Sequence, residues 1–233
     1  MARDVIVALD FPGRSEALGF LDRFKADKPF VKIGMELFYR EGQDMVREIA
    51  MRGHRIFLDL KLHDIPNTVA GAIRSLGQLD VDMINLHAGG GVQMMRGASE
   101  ALSALGSRKP LLIAVTVLTS LDEAALRREL LVSQPLKQTV LRYAQNAKEA
   151  GLDGVVCSPL EAKGVHEAFG QDFITVTPGI RFADAHKGDQ QRVTTPREAR
   201  ALGTDYIVVG RPITRAQDPV EVYRRCLSDF VNP

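Results

Sequence analysis

Eight short apolar runs, rich in β-branched residues, recur along the chain at residues 5–9, 30–33, 56–60, 83–86, 111–117, 154–157, 173–176 and 206–209. They are continuous rather than alternating, the pattern of parallel strands covered on both faces. Between them lie stretches with apolar residues at helical spacing. Ala17, Phe20, Leu21 and Phe24 mark one stripe, and Met45, Val46, Ile49 and Ala50 another. Val140, Tyr143, Ala144 and Ala147 mark a third, and Val220, Tyr223 and Leu227 the last. Gly53, Gly151 and Gly203 each follow a helical stretch, where a left-handed residue closes a helix. Pro66, Pro159 and Pro219 fall at helix starts, with Ser158 and Asp218 as N-caps for the last two. Asn67 and Thr68 then lie in the first turn after the third strand. Eight strand–helix repeats predict an α/β fold, a single (β/α)8 barrel spanning residues 1–233. The competing architecture is an open doubly wound sheet. It fits less well, because Asp10-Phe11-Pro12-Gly13 follows the first strand where that fold needs G-x-G-x-x-G.

Length and composition narrow the picture without changing it. At 233 residues the chain is of barrel size. Its 45% hydrophobic and 25% charged residues describe an ordinary globular protein, not a disordered, collagen-like or coiled-coil one. A net charge of +1 argues against broad nucleic-acid or membrane attraction. With no tryptophan and 6% aromatics, the core must be mainly aliphatic. No apolar run approaches the roughly 18 residues of a spanning helix, and Asp4 and Asp10 bracket the first run in a way that does not suit a signal peptide. Two cysteines, Cys157 and Cys226, are too few for a disulfide framework. A cytoplasmic protein is expected.

In such a barrel the chemistry gathers where strands end, and there the sequence turns polar in every unit. The candidates are Asp10; Lys32; Asp59, Lys61 and Asp64; Asn85 and His87; Thr116 and Thr119; Ser158; Thr177, Pro178 and Gly179; and Gly210 and Arg211. The densest cluster is Asp59-Leu60-Lys61-Leu62-His63-Asp64. Strand alternation turns Asp59 and Lys61 to the same side, into the barrel mouth, with Leu60 packed outward. Lys32 and Asp10 extend this to a line of alternating charge. Opposite charges about 4 Å apart attract by roughly 4 kcal/mol at an effective dielectric of 20, so such an array keeps its lysines charged and oriented. That favours a lysine delivering a proton over a neutral lysine forming a Schiff base.

A second cluster, Gly210-Arg211-Pro212, combines close backbone approach with a fixed guanidinium. With Arg181 and Gln190 from the long loop 179–193, it reads as a phosphate site near strands seven and eight. The other long connection, 120–136, has room for a short helix. Gly89-Gly90-Gly91 reads as a tight turn more than a phosphate cradle. None of the five histidines has H-E-x-x-H spacing. His63 and His87 with an aspartate could hold a metal, but Lys32 and Lys61 would repel a divalent ion. Ser158 has no His–Asp partner in a recognisable motif.

Taken together, these residues resemble the bacterial type of the orotidine 5′-phosphate decarboxylase family. The resemblance covers nearly the whole chain. It is carried by Ala8-Leu9-Asp10, Val31-Lys32-Ile33-Gly34, Asp59-Leu60-Lys61-Leu62-His63-Asp64-Ile65-Pro66-Asn67-Thr68, Thr116-Val117-Leu118-Thr119-Ser120, Val156-Cys157-Ser158, Thr177-Pro178-Gly179-Ile180-Arg181, Gly188-Asp189-Gln190 and Gly210-Arg211-Pro212-Ile213. It implies a carboxy-lyase of pyrimidine biosynthesis that converts orotidine 5′-monophosphate to UMP and CO2 with no cofactor or metal. By the resemblance, Asp59 and Lys61 flank the departing carboxylate and Lys61 protonates C6. Lys32 and Asp10 hold the ribose and the charge array. Asp64 and Thr68 enter a neighbouring subunit's site, making the active unit a homodimer. Ser158, Thr119 and Gln190 contact the base or the lid side, and Arg181, Gly210 and Arg211 bind phosphate. Two readings of the residues compete with this one: a metal-dependent sugar-phosphate enzyme on the same barrel, and a nucleotide-binding barrel without turnover.

Overall fold

A computed structural model describes residues 3–106, 109–182 and 193–232. Among these residues eight strands alternate with helices: β1 (Asp4–Ala8), α1 (Arg14–Leu21), β2 (Phe30–Gly34), α2 (Met35–Met51), β3 (Ile56–Leu62), α3 (Pro66–Leu76), β4 (Met83–His87), α4 (Gly91–Ser103), β5 (Leu111–Val115), α5 (Glu123–Arg128), α6 (Leu136–Glu149), β6 (Gly154–Val156), α7 (Pro159–Phe169), β7 (Ile174–Thr177), α8 (Pro196–Ala201), β8 (Tyr206–Val209), α9 (Arg211–Thr214) and α10 (Pro219–Phe230). Each strand pairs in parallel with the next, and β8 returns to β1, so the sheet closes in sequence order. This is the predicted (β/α)8 barrel; the open sheet is set aside.

Strand alternation divides the core in two. Outward residues such as Val31, Ile33, Leu58 and Leu86 join helix residues in one large buried cluster. Inward residues form a second cluster that fills the lower barrel: Ile6, Ala8, Phe30, Phe57, Met83, Ile113, Ile174, Val176, Tyr206 and Val208. Full burial of each large side chain contributes about 1.5–3 kcal/mol, and this apolar plug makes the barrel solid below its mouth. Two positions further along the strands, the inward series becomes polar: Ile6, Ala8, Asp10 on β1; Phe30, Lys32, Gly34 on β2; Phe57, Asp59 on β3; Met83, Asn85 on β4. The period of two that builds the core therefore also aims the charges. On β6, only glycine fits at Gly154, since a Cβ there would lie 2.2 Å from the Ile174 carbonyl oxygen.

The sequence signals for helix ends hold. Pro66, Pro159 and Pro219 each open a helix, and Gly53, Gly151 and Gly203 have positive φ. Asp218 accepts from the backbone N–H groups of Val220 and Glu221, and Ser158 forms a capping box with Glu161. The 120–136 connection carries α5, capped by Asp122. Three local features are not marked by the hydrophobic pattern. Strand five ends at Val115 rather than 117, and α2 is interrupted at Gly42, where φ is 69°. Most consequentially, β3 runs on to Leu62 but loses register: four residue steps from Leu58 to Leu62 match only two on β4, from Ile84 to Leu86. The surplus is a bulge holding Asp59, Leu60 and Lys61.

Candidate active site

The barrel mouth opens into a cavity of about 510 Å3, within the range of sites that bury small ligands. Ala8, Phe57, Val115, Val156 and Val208 form its floor. Above them lies a continuous ionic chain. Lys32 Nζ stands 3.2 Å from Asp10 Oδ1 and 3.2 Å from Asp59 Oδ2. Lys61 Nζ donates to Asp59 Oδ1 at 2.6 Å. Three successive strands thus contribute Asp10, Lys32, Asp59 and Lys61 in the alternating order read from the sequence.

Electrostatics fix the charges of the inner pair. Burial alone would push Lys32 down, but Asp59 and Asp10 outweigh it and raise its pKa. Burial alone would push Asp59 up, but Lys32 and Lys61, with hydrogen bonds from Lys61 and Asn85, hold it below the usual carboxylate range. Gly34 keeps room for this arrangement, since a Cβ there would lie 2.9 Å from Lys32 Nζ.

The bulge in β3 sets the position of Lys61. Its φ is +51°, and Leu131 is the other non-glycine residue with positive φ among the described residues. This conformation costs an L-residue about 1–2 kcal/mol and needs support from its surroundings. Asn85, completely buried on β4, faces the bulge. Its Oδ1 accepts the Lys61 backbone N–H at 2.8 Å, and its Nδ2 donates to Asp59 Oδ1 at 2.6 Å. The sequence reading placed Asp59 and Lys61 together by simple alternation. They do meet, but through an irregular backbone held by Asn85. Asn85 had been noted only as a polar residue at a strand end.

On the other side of Asp10, after β7 and β8, the lining is cationic. Arg181, Gly210 and Arg211 form it, joined by Thr214 and Arg215. Burial first, then the neighbouring Arg211, lowers the Arg181 pKa, a sign of guanidiniums converging on one place. Arg215 went unnoticed in the sequence; its spacing of four from Arg211 was the available signal. Thr119 and Cys157 lie on the wall between the two charged ends.

Not every candidate arrives. Ser158 is fully buried outside the cavity lining, its hydroxyl accepting from Leu160 N–H as the α7 cap. Its neighbour Cys157 and Thr119 do line the cavity. Asp64 and Thr68 are exposed on the rim and do not line this cavity; Asp64 accepts from Ile65 N–H. Gln190 and the Gly188-Asp189 step lie outside the described residues. The glycines after β4 make a tight 3-10 turn at Ala88–Gly90 before α4 and stand away from the cavity. His63 and His87 stack with centroids 5.6 Å apart, and among the described residues no three His, Cys, Asp or Glu side chains gather as metal ligands.

With this geometry in hand, comparison with known proteins is direct. Residues 3–226 match the model of the orotidine 5′-phosphate decarboxylase / HUMPS family. The chain belongs to that family. Among curated relatives, the orotidine 5′-phosphate decarboxylase of Bacillus cereus (strain B4264) is 53% identical over 96% of this chain and 95% of the relative. The Bacillus anthracis (strain CDC 684 / NRRL 3495) protein of the same name is 52% identical over the same shares. Among solved structures, the orotidine 5′-phosphate decarboxylase of Lactobacillus acidophilus superposes with a TM-score of 0.88 at 44% identity, covering 98% of this chain and 99% of that one. An uncharacterized conserved protein from Geobacillus kaustophilus gives a TM-score of 0.87 at 48% identity, covering 97% and 99%. Family membership thus agrees with the resemblance drawn from the strand-end motifs.

Proposed function

We propose that the chain is a carboxy-lyase converting orotidine 5′-monophosphate to UMP and CO2, a step of pyrimidine biosynthesis, without a metal or organic cofactor. The observation that carries this reading is the ionic chain itself. Lys32 Nζ fills the space between the Asp10 and Asp59 carboxylates, where a bridging divalent ion would have to sit. Family membership and close relatives bearing the decarboxylase name support the substrate.

Each end of the cavity suits one end of that substrate. The arginine wall, with Arg181, Arg211 and the Gly210 backbone, takes the phosphate. Asp10 and Lys32 take the ribose hydroxyls, and Thr119, Ser158 and Gln190 attend the base or the lid side. The C6 carboxylate then falls beside Asp59 and Lys61. The bond from C6 to the carboxylate carbon breaks, CO2 departs, and its electron pair stays on C6. Lys61 Nζ gives C6 a proton and is later recharged from solvent. Asp59 remains ionised and orients Lys61. A carbanion in the plane of the ring lacks a conjugated sink, so preset charge must stabilise it. Phosphate binding at a distance offsets the cost of bringing the substrate carboxylate near Asp59.

The proposed active unit is a homodimer in the cytoplasm, with Asp64 and Thr68 from one subunit reaching the other's site. Among the described residues no helix is long and apolar enough to cross a membrane. The reading is tested by following orotidylate absorbance with purified protein after exhaustive chelation. Turnover is expected to persist, and Lys61→Ala is expected to lower kcat by at least about 1,000-fold, at the scale of losing a positioned proton donor. A chelator-sensitive activity on a keto-sugar phosphate would replace this reading with the metal-dependent one. UMP binding without turnover would replace it with a non-catalytic one.

A further inference from the structure

We propose that Asn85 is a positioning residue that holds the β3 bulge shut over Asp59 and thereby aims Lys61. The inference rests on the decarboxylase reading for its kinetic consequence, and on geometry alone for its structural one. At the bulge, the β3–β4 ladder skips from Leu58–Ile84 to Leu62–Leu86. Asn85 is the β4 residue spanning that gap. A buried backbone N–H that has lost a ladder partner must find another, and the Lys61 N–H finds Asn85 Oδ1 at 2.8 Å. The other half of the same amide donates to Asp59 Oδ1 at 2.6 Å.

The neutral Asn85 amide satisfies both contacts. The Lys61 N–H demands an acceptor, and the ionised Asp59 demands a donor. A carboxylate serves the first and repels the second; an aliphatic side chain serves neither. Asp59 Oδ1 already takes the Lys61 ammonium and Oδ2 faces Lys32, so the Asn85 bond fixes which carboxylate oxygen each lysine meets. The backbone and side chain of Lys61 are therefore tied to one amide, by its N–H directly and by its ammonium through Asp59. Asn85 is wholly buried and does not line the cavity. It acts on substrate through Asp59 and Lys61.

The test compares Asn85→Ala and the near-isosteric Asn85→Asp with wild type in the full-length protein. The measurements are orotidylate turnover across pH, UMP affinity by calorimetry, and hydrogen exchange of the Lys61 amide. UMP lacks the departing carboxylate, so its binding reports an intact fold and phosphate site. For Asn85→Ala we expect kcat to fall by about 100-fold, the scale of a 1 Å misplacement, with UMP affinity within about threefold of wild type and faster exchange at Lys61. For Asn85→Asp we expect a similar loss at neutral pH. The ratio of its kcat to wild type should rise as pH falls, because the introduced carboxyl, once protonated, donates to Asp59 again. Wild-type-like kcat in both variants overturns the proposal. So does a parallel loss of kcat and UMP affinity, which is the mark of general destabilisation. If the wild-type protein itself leaves orotidylate untouched, the decarboxylase reading fails separately. Lys61 exchange then decides for Asn85: accelerated exchange in Asn85→Ala supports the positioning role, and unchanged exchange overturns it.

Discussion

Gly34 shows how little freedom the charged chain has at the level of single residues. Its missing side chain leaves space for Lys32 Nζ, which a Cβ would approach to 2.9 Å. A lysine head group ordinarily moves aside cheaply. Here it is pinned at 3.2 Å to carboxylates on either side, so moving it breaks the chain at its centre. Gly34→Ala is therefore expected to lower kcat/KM by about 10- to 100-fold, as displaced charge no longer matches the transition state. The thermal midpoint should move by no more than a few degrees, because the clash falls on a cavity-lining amine and not on the packed core. Steady-state kinetics with calorimetry checks this; unchanged kcat/KM would show that Lys32 tolerates displacement. Asp10, Lys32 and Asp59 were legible in the sequence because strand periodicity is rigid enough to aim them; the same alternation pairs Lys61 with Asp59, but the bulge sets how it gets there. The role of Asn85 was not legible, since it depends on which β4 residue faces a register slip, and a slip leaves no mark in hydrophobic pattern. Ser158 was legible as a helix cap, because a serine between a strand and a proline is placed to accept from the first turn, and the capping box with Glu161 is there.

At the scale of elements, the β3–β4 pair carries the irregularity, and a histidine stack closes its upper end. His87 at the end of β4 is held below its ordinary pKa of 6.5, first by burial, then by His63 and Lys61, with Asp59 opposing. In the unfolded chain the same imidazole takes up a proton as pH falls through 6.5, while the native one resists. The associated stability is thus complete above 6.5 and declines as pH drops towards the folded value. His54 is lowered in the same direction, chiefly by burial, despite its bond to the Pro29 carbonyl. Urea unfolding between pH 7 and 5 (about the range of histidine titration) should therefore show stability falling on acidification. His87→Gln should reduce that slope and leave the His54 share in place. An undiminished slope would show that His87 titrates alike in both states. Asp59 adds to the same acid loss at lower pH: its lowered pKa means its stabilisation is lost only as pH falls below the ordinary carboxylate value of 3.8.

Viewed as a whole, the molecule keeps a regular lower barrel and carries the β3 bulge and the charged residues at its mouth. The lower barrel follows the pattern that the sequence announces, eight continuous apolar strands around an apolar plug in which Phe30, Phe57 and Tyr206 join the aliphatic residues, and the fold was legible there because burial on both faces leaves little ambiguity. The upper rim is exposed and partly apolar. Ile65 is 67% exposed in the loop carrying Asp64 and Thr68, with Tyr39 71% and Met35 43% exposed at the start of α2. Such a rim suits contact with a second copy, and the roles proposed for Asp64 and Thr68, which follow from the family resemblance, depend on that contact. Subunit mixing tests them. Lys61→Ala and Asp64→Ala homodimers should each be nearly inactive. In a hybrid, one site has the alanine at 61 together with the partner's alanine at 64. The other keeps its own Lys61 and receives an intact Asp64 across the interface. Random exchange of equal amounts should then recover about a quarter of wild-type activity, since half the dimers are hybrids with one sound site. Differently tagged subunits would confirm exchange by native mass spectrometry. Confirmed hybrids without recovered activity would place Asp64 in its own barrel's service or outside catalysis altogether, and the proposed shared site would give way to a self-sufficient one.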